Sequence, residues 1–143
     1  MKVNFIILLI IIFFLFDLII CQDDNLTNSK QNIEVDFDQD GIIDIVEGFH
    51  TDTTFVVTFI ISNDSSLFEF GLEDNMSQDA FCGKSIAMKL EALNYDPVEI
   101  FGEEIPGFKN SEKEIGINLS DGMCDSFHFF WNYKLKIVQY WRL

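Results

Sequence analysis

The chain of 143 residues has few basic side chains. Nine lysines and arginines stand against 24 aspartates and glutamates, which gives a formal net charge of −15. Nucleic acid phosphates and anionic lipid headgroups repel such a chain, so we exclude them as binding partners. The charge favours cations and basic protein surfaces as partners, with an acidic surface that serves only solubility as the alternative interpretation.

Side chains for catalysis are also scarce. The chain has only two histidines, His50 and His128, and neither has a sequence neighbour that suggests a catalytic triad. It contains no glycine-rich phosphate loop, no H-E-x-x-H and no G-x-S-x-G. We therefore expect no catalytic residue and no enzyme activity, and a hydrolase built on one of the histidines ranks last among the possible functions.

The chain lacks an apolar run long enough for a typical membrane-spanning helix. Lys2 precedes a run of Ile, Leu and Phe from Phe5 to Ile20, which only Asp17 interrupts. This run is shorter than the roughly 20 apolar residues that cross a bilayer. A basic start, a short apolar run and a polar stretch are typical of a secretory signal, so we predict a signal peptide over residues 1–21. An uncleaved N-terminal anchor is the alternative.

Cys21 ends the apolar run in the sequence L-I-I-C-Q-D-D, which resembles a bacterial lipobox. In such a motif the cysteine is lipidated and becomes the mature N-terminus, although Ile20 stands here where Gly, Ala or Ser is expected. Lipidation of Cys21 and full secretion after cleavage both remain open. Either way we expect an extracytoplasmic protein that is periplasmic, anchored to the outer membrane, or secreted. The polar residues 22–32 predict a flexible tether.

Only two further cysteines occur, Cys82 and Cys124, and neither belongs to a C-x-x-C motif. In an exported chain this pair predicts one disulfide that closes a loop of about 40 residues and stabilises the fold by about 3–4 kcal/mol. A catalytic thiol or a metal ligand is the alternative role.

Residues 33–143 have the patterning of a single domain in which short alternating apolar runs are separated by turn residues. We predict a mainly β fold, an antiparallel sandwich or meander of about seven strands with one or two short helices. Asp96-Pro97-Val98-Glu99 is typical of a helix start. The segment from Ile86 to Leu93 fits a strand and a helix face equally well.

The strongest motif is D-F-D-Q-D-G-I-I-D-I-V-E, from Asp36 to Glu47. Calcium takes six to eight oxygen ligands, and a twelve-residue loop can supply them from positions 1, 3, 5, 7, 9 and 12. The residues at those positions are Asp36, Asp38, Asp40, Ile42, Asp44 and Glu47, with Ile42 contributing its backbone carbonyl. Gly41 stands where the chain must turn sharply, and Ile43 is expected to anchor the loop to the core.

We therefore predict one structural Ca²⁺ ion in this loop, with a solvated acidic turn as the alternative. The flanks are strand-like rather than helical, so the loop is expected to join β elements. It resembles the calcium loop of FG-GAP/VCBS repeats, with Asp36, Asp38, Asp40 and Asp44 as the matching ligands. One such loop behind a lipoprotein-like signal is similar to small periplasmic proteins related to the PliI-type lysozyme inhibitors. That resemblance implies an immunity-type inhibitor of a cell-wall hydrolase.

The C-terminal segment predicts a β-hairpin rich in aromatic residues, with aromatic side chains on both faces. One face must belong to the core, whereas the other is either a binding surface or is buried as well. The candidates for contact with a partner protein are Trp131, Tyr140, Trp141 and Arg142. The predicted function is a calcium-stabilised binding module, with a structural calcium-binding protein that has no inhibitory target as the alternative.

Overall fold

The computed structural model describes residues 30–73, 81–83 and 85–142, which fold as eight strands and one short helix. The first sheet consists of β1 (Gln31–Val35), β2 (Asp44–His50), β3 (Thr54–Ile61) and β4 (Ser66–Glu73), in that order. The second sheet consists of β5 (Ala87–Leu93), β6 (Ser111–Ser120), β7 (Phe127–Asn132) and β8 (Ile137–Arg142), also in sequence order. Neighbouring strands pair antiparallel throughout. The predicted mainly β, antiparallel fold is confirmed.

The two sheets face each other across one aromatic core. The ring of Phe59 in β3 lies 5.3 Å from that of Phe129 in β7, and Phe70 in β4 lies 5.2 Å from the same ring. Alternation along the strands directs these side chains inward from both sheets. Burying an aromatic or aliphatic side chain of this size contributes about 1.5–3 kcal/mol. The arrangement is a β-sandwich, as the sequence predicts.

The outer face of the second sheet is also covered. A second buried cluster contains Leu93, Ile115, Phe130 and Trp141. The chain between β5 and β6 packs against it through Tyr95, Phe101, Ile105 and Phe108. This cover explains why the second sheet's β7 has buried side chains on both faces.

The one helix of the described residues, α1 (Pro97–Phe101), begins where the sequence predicts. The Asp96 carboxylate accepts a hydrogen bond of 2.9 Å from the Val98 N–H and so satisfies an open donor of the first turn. Gly102 ends the helix with φ of 76°, a left-handed conformation that glycine adopts without steric cost. The ambiguous segment from Ile86 to Leu93 is a strand over most of its length, β5.

Strand β1 begins at Gln31, inside the predicted tether. The Gln31 side chain donates a 2.7 Å hydrogen bond to the Ile86 carbonyl and accepts one of 2.8 Å from the Met88 N–H. It thereby joins the edges of the two sheets. Residues 22–29 of the tether, the predicted signal segment and Cys21 lie outside the described residues. No helix in the described part of the chain is long and apolar enough to cross a membrane.

Candidate metal centre

The acidic motif forms the loop between β1 and β2. Val35 pairs with Asp44 in the ladder, so residues 36–43 close a hairpin. Gln39 and Gly41 adopt positive φ angles of 58° and 94°. A Cβ atom on Gly41 would meet no atom within 4 Å, so the backbone conformation rather than space requires glycine here.

Three carboxylates of the loop converge. Asp36, Asp38 and Asp40 each offer one oxygen, and these atoms all lie within 4.8 Å of one another. Backbone N–H groups hold the cluster in place: Gly41 donates to Asp36 Oδ2 at 3.1 Å, and Asp40 donates to Asp38 Oδ1 at 3.1 Å. The Ile42 N–H donates to Asp40 Oδ1 at 2.8 Å. These bonds leave Asp36 Oδ1 buried with no hydrogen-bond partner among the described residues.

The cluster carries an electrostatic cost. Burial raises the pKa of Asp38, and the charges of Asp40, Asp44 and Asp36 raise it further, although a backbone hydrogen bond from Asp40 lowers it. Like charges this close favour the neutral acid unless a cation compensates them. The loop therefore holds its carboxylates so close together that they repel each other, and a bound cation would reduce this repulsion.

Asp44 lies beside the cluster and is held differently. Its side chain is 1 % exposed, and its two oxygens accept hydrogen bonds from the N–H groups of Phe37 (2.9 Å), Asp38 (3.4 Å) and Ser62 (2.8 Å). These bonds tie the loop to the turn between β3 and β4. Three of the five predicted carboxylate ligands thus come together. Asp44 supports them by accepting hydrogen bonds from the loop backbone.

Of the other two predicted ligands, Glu47 lies apart from the three-carboxylate cluster, whereas Ile42 contacts it. Glu47 lies within β2, where its Oε1 is 2.6 Å from Lys30 Nζ in an ion pair. Ile42 is exposed and contacts the cluster through its N–H. Glu47 belongs to the strand because β2 already begins at Asp44, which leaves no loop to bring its carboxylate back.

The prediction that Ile43 anchors the loop to the core is wrong. Ile43 is 53 % exposed, whereas Phe37 is 1 % exposed and packs 4.9 Å from Phe59 in the core. The reason is strand alternation: Asp44 and Val46 point inward, so the odd-numbered Ile43 points outward. Phe37, at the second loop position, is the residue that the pattern overlooked.

A side chain of the second sheet borders the loop. Tyr133 follows β7, and its hydroxyl is buried with no hydrogen-bond partner among the described residues. Burial raises the pKa of Tyr133 to about 12, with further contributions from the charges of Asp38 and Asp36. Lys109 Nζ lies 5.0 Å from the centre of the Tyr133 ring and donates a 3.1 Å hydrogen bond to Gln39 Oε1 in the loop. No sequence signal relates Tyr133 to the acidic motif.

The aromatic residues predicted to contact a partner are largely buried. Trp131 and Trp141 are 5 % and 8 % exposed, so the expectation of exposed tryptophan anchors is corrected. The Tyr95 and Phe108 rings pack edge-on against Trp141 at 5.4 and 5.6 Å, which covers that face. Tyr140 remains 37 % exposed.

Arg142, the fourth predicted contact residue, packs within the domain. Its guanidinium lies 4.6 Å from the centre of the Phe127 ring, and its Nε donates to the Asp125 carbonyl at 3.1 Å. Its contacts with its own domain give it a structural role as a brace at the end of β8.

The predicted disulfide between Cys82 and Cys124 is confirmed, with a Cα–Cα distance of 5.7 Å. Asp121 lies beside it and accepts hydrogen bonds from four N–H groups, those of Cys82, Gly83, Met123 and Cys124. Burial alone would raise the pKa of Asp121, but these four donors lower it to about 2. A disulfide of this kind is typical of proteins outside the cytoplasm.

Both histidines make packing or network contacts. His128 Nδ1 lies 3.0 Å from Glu91 Oε2, which also accepts a 3.0 Å hydrogen bond from the Tyr95 hydroxyl. The His128 ring stacks on Trp141 with centroids 5.2 Å apart. His50 packs edge-on against Phe55 at 5.0 Å. This polar network satisfies the nearly buried Glu91 carboxylate.

The chain matches no protein-family model, no curated protein and no solved structure. The resemblance to FG-GAP/VCBS loops and to lysozyme inhibitors therefore stays a prediction. The function has to be argued from the geometry of the loop.

Proposed function

We propose that the protein is an exported domain that binds one calcium ion in the Asp36–Asp44 loop and uses it to stabilise the β-sandwich. One observation carries this proposal: three carboxylates present oxygens within 4.8 Å of one another, and Asp36 Oδ1 is buried there with no hydrogen-bond partner in the described part of the chain. A buried acceptor without a partner costs about 1–3 kcal/mol, more when charged, and a cation would remove that cost.

The chemistry of the donors fits calcium. The carboxylates of Asp36, Asp38 and Asp40 would hold the ion, with water completing its shell. All three offer oxygen, which suits a hard cation, whereas structural zinc sites use thiolate and imidazole ligands. Magnesium demands a near-ideal octahedron and gives up its water reluctantly, whereas calcium accepts irregular coordination by carboxylates and water, so these donors favour calcium.

The proposed role of the ion is structural. Its charge would compensate the repulsion among Asp36, Asp38 and Asp40, and Asp44 would transmit the order of the loop to Ser62. Because the loop joins β1 to β2 and Ser62 follows β3, ion binding would stabilise three strands of the first sheet. Calcium outside cells is near millimolar, so a site with a Kd of about 10⁻⁴–10⁻³ M would be occupied.

The proposal is tested by calorimetric titration of calcium into the purified chain. Wild type is expected to bind one ion with a Kd of about 10⁻³ M or below. Asp40→Ala should lose measurable binding, whereas Asp52→Ala should bind like wild type. The second variant removes the same charge from an exposed turn outside the loop. Equal binding by both variants, or no heat with wild type, would refute the proposal.

A second candidate function, recognition of a basic protein, is favoured by the region around α1. Glu99, Glu103 and Glu104 are exposed there and pair with no cation among the described residues. An open cleft of about 450 Å³ beside them is lined by apolar side chains, among them Tyr95 and Phe108, and by the polar Asp96, Glu104 and Asn110. Such a surface suits a basic partner, for which a cell-wall hydrolase of the kind targeted by lysozyme inhibitors is the leading candidate.

The partner function is tested by a pull-down from an envelope extract, with the domain as bait and with calcium or chelator present. We expect wild type to retain a basic hydrolase that high salt releases. A variant with Glu99, Glu103 and Glu104 changed to Gln should lose it, while a variant with Glu112 and Glu114 changed to Gln should not. Failure to retain any basic protein in calcium would reject this candidate in favour of a purely structural calcium protein.

A further inference from the structure

Tyr133, which follows β7 in the second sheet, is linked to the acidic loop through Lys109 and carries an unsatisfied polar group. Its hydroxyl is buried and has no hydrogen-bond partner within the described part of the chain. The charges of Asp38 and Asp36 contribute to the raised pKa of Tyr133. Asp36 Oδ1 is also buried with no hydrogen-bond partner among the described residues, so the loop and the turn that Lys109 links to it each hold one unsatisfied polar atom. Native proteins rarely leave such atoms unpaired unless water or an ion joins them.

The turn that carries Tyr133 is firmly held. The Tyr133 N–H donates a 3.0 Å hydrogen bond to the Gly107 carbonyl. Asn132 is 1 % exposed, and its Oδ1 accepts hydrogen bonds from the N–H groups of Lys134 (3.0 Å) and Leu135 (2.9 Å). These bonds fix the backbone from which the Tyr133 side chain extends.

Lys109 closes the same region from outside. Its Nζ lies 5.0 Å from the centre of the Tyr133 ring and bonds Gln39 Oε1, which is part of the loop. The contact joins the loop, Lys109 and Tyr133 into one unit across the two sheets. Binding of a group among the carboxylates would therefore also affect the conformation of the turn after β7.

We propose that Tyr133 is a positioning residue of the calcium site, whose hydroxyl is the outer partner of the hydrated ion held by Asp36, Asp38 and Asp40. Calcium then fastens the turn between β7 and β8 in the second sheet to the Asp36–Asp44 loop in the first. This inference rests on the proposed calcium function. Outer partners of this kind typically change metal affinity 10- to 100-fold.

The test compares Tyr133→Phe with wild type in calorimetric calcium titrations and in thermal unfolding with EDTA. We expect calcium affinity to fall about 10-fold or more. In EDTA the variant should unfold at the same temperature as wild type or higher, because it loses a buried hydroxyl that has no partner. Tyr140→Phe, which removes a partly exposed hydroxyl from the same hairpin, should change neither value.

A second readout uses 3-fluorotyrosine, since the chain has only three tyrosines. The ¹⁹F signal that disappears in Tyr133→Phe should shift when calcium is added, whereas the signal of Tyr140 should not. If wild type binds calcium but Tyr133→Phe binds it equally well, the inference is overturned and the calcium function stands. Equal destabilisation in calcium and in EDTA would also overturn it. If wild type binds no calcium, both fall.

Discussion

Two acidic loops of the sandwich show opposite ways of holding carboxylates. At Asp121 one carboxylate accepts four backbone hydrogen bonds, and its pKa falls to about 2. In the Asp36–Asp44 loop three carboxylates share one small region, and burial and neighbouring charges raise the pKa of Asp38. One oxygen of Asp36 has no hydrogen-bond partner among residues 30–73, 81–83 and 85–142. Backbone donors compensate the charge of the Asp121 carboxylate, whereas burial and the repulsion among the three carboxylates of the other loop still raise the pKa of Asp38.

The contrast shows what distinguishes a structural carboxylate from a candidate cation ligand. Both loops are rich in turn residues and both present Asp to backbone N–H groups. The number of donors per charge separates them: four N–H groups serve one carboxylate at Asp121, whereas each carboxylate of the cluster accepts one hydrogen bond from the described residues. A shortage of hydrogen-bond donors to the carboxylates, rather than the number of acidic residues, therefore marks the candidate cation site.

The largest expected effect comes from the disulfide, which braces the Asp121 loop covalently. Replacing Cys82 and Cys124 together by Ser should lower the free energy of unfolding by about 4 kcal/mol, because the closed loop spans 42 residues. Denaturant titration measures this loss. The increase in stability on adding calcium should be the same as in wild type; its disappearance would contradict the separation of the two loops.

Asp44 should give the next largest effect. Asp44→Ala removes the acceptor for the N–H groups of Phe37, Asp38 and Ser62. We therefore expect the free energy of unfolding to fall by about 3 kcal/mol, with or without calcium. Denaturant titration in EDTA isolates this structural part. Asp52→Ala should stay within about 0.5 kcal/mol of wild type, and a similar value for Asp44→Ala would remove its bracing role.

Asp121 should give a smaller, pH-dependent effect. Asp121→Asn is expected to cost about 1–2 kcal/mol at neutral pH, because its donors are partly hydrated. The folded pKa of about 2 lies below the usual 3.8, so the stabilisation is present above about pH 4 and is lost as pH falls towards 2. The difference between wild type and variant, measured by denaturant titration along this range, should shrink on acidification. A difference that stays constant would contradict the assignment.

Local patterns in the sequence predict much of this structure. Alternation yields the strands, Asp96-Pro97 yields the start of α1, and the spacing of Asp36, Asp38 and Asp40 yields the carboxylate cluster. Each of these signals acts over a few residues. Local signals do not reveal that Glu47 lies outside the cluster or that Ile43 is exposed. Both follow from the ladder pairing of Val35 with Asp44, which fixes where the loop ends.

The features that sequence does not reveal depend on long-range contacts. Gln31 bonds Met88 across 57 positions, and Asp121 bonds the N–H of Cys82 across 39. Burial of Trp141 likewise depends on Phe108, which arrives from the connection between β5 and β6. No periodicity within one segment encodes which distant segment will cover it.

Thermal unfolding in about 10 mM calcium and in EDTA tests the central claim most directly, with NaCl matching the ionic strength. A site with a Kd of about 10⁻⁴–10⁻³ M stabilises by about 1–3 kcal/mol at that concentration, so wild type should gain roughly 5 °C or more. Asp121→Asn should keep this gain. Asp38→Asn should lose it and should unfold in EDTA at or above the wild-type temperature, because a repelling charge is gone. Identical melting of wild type in calcium and in EDTA would contradict the account.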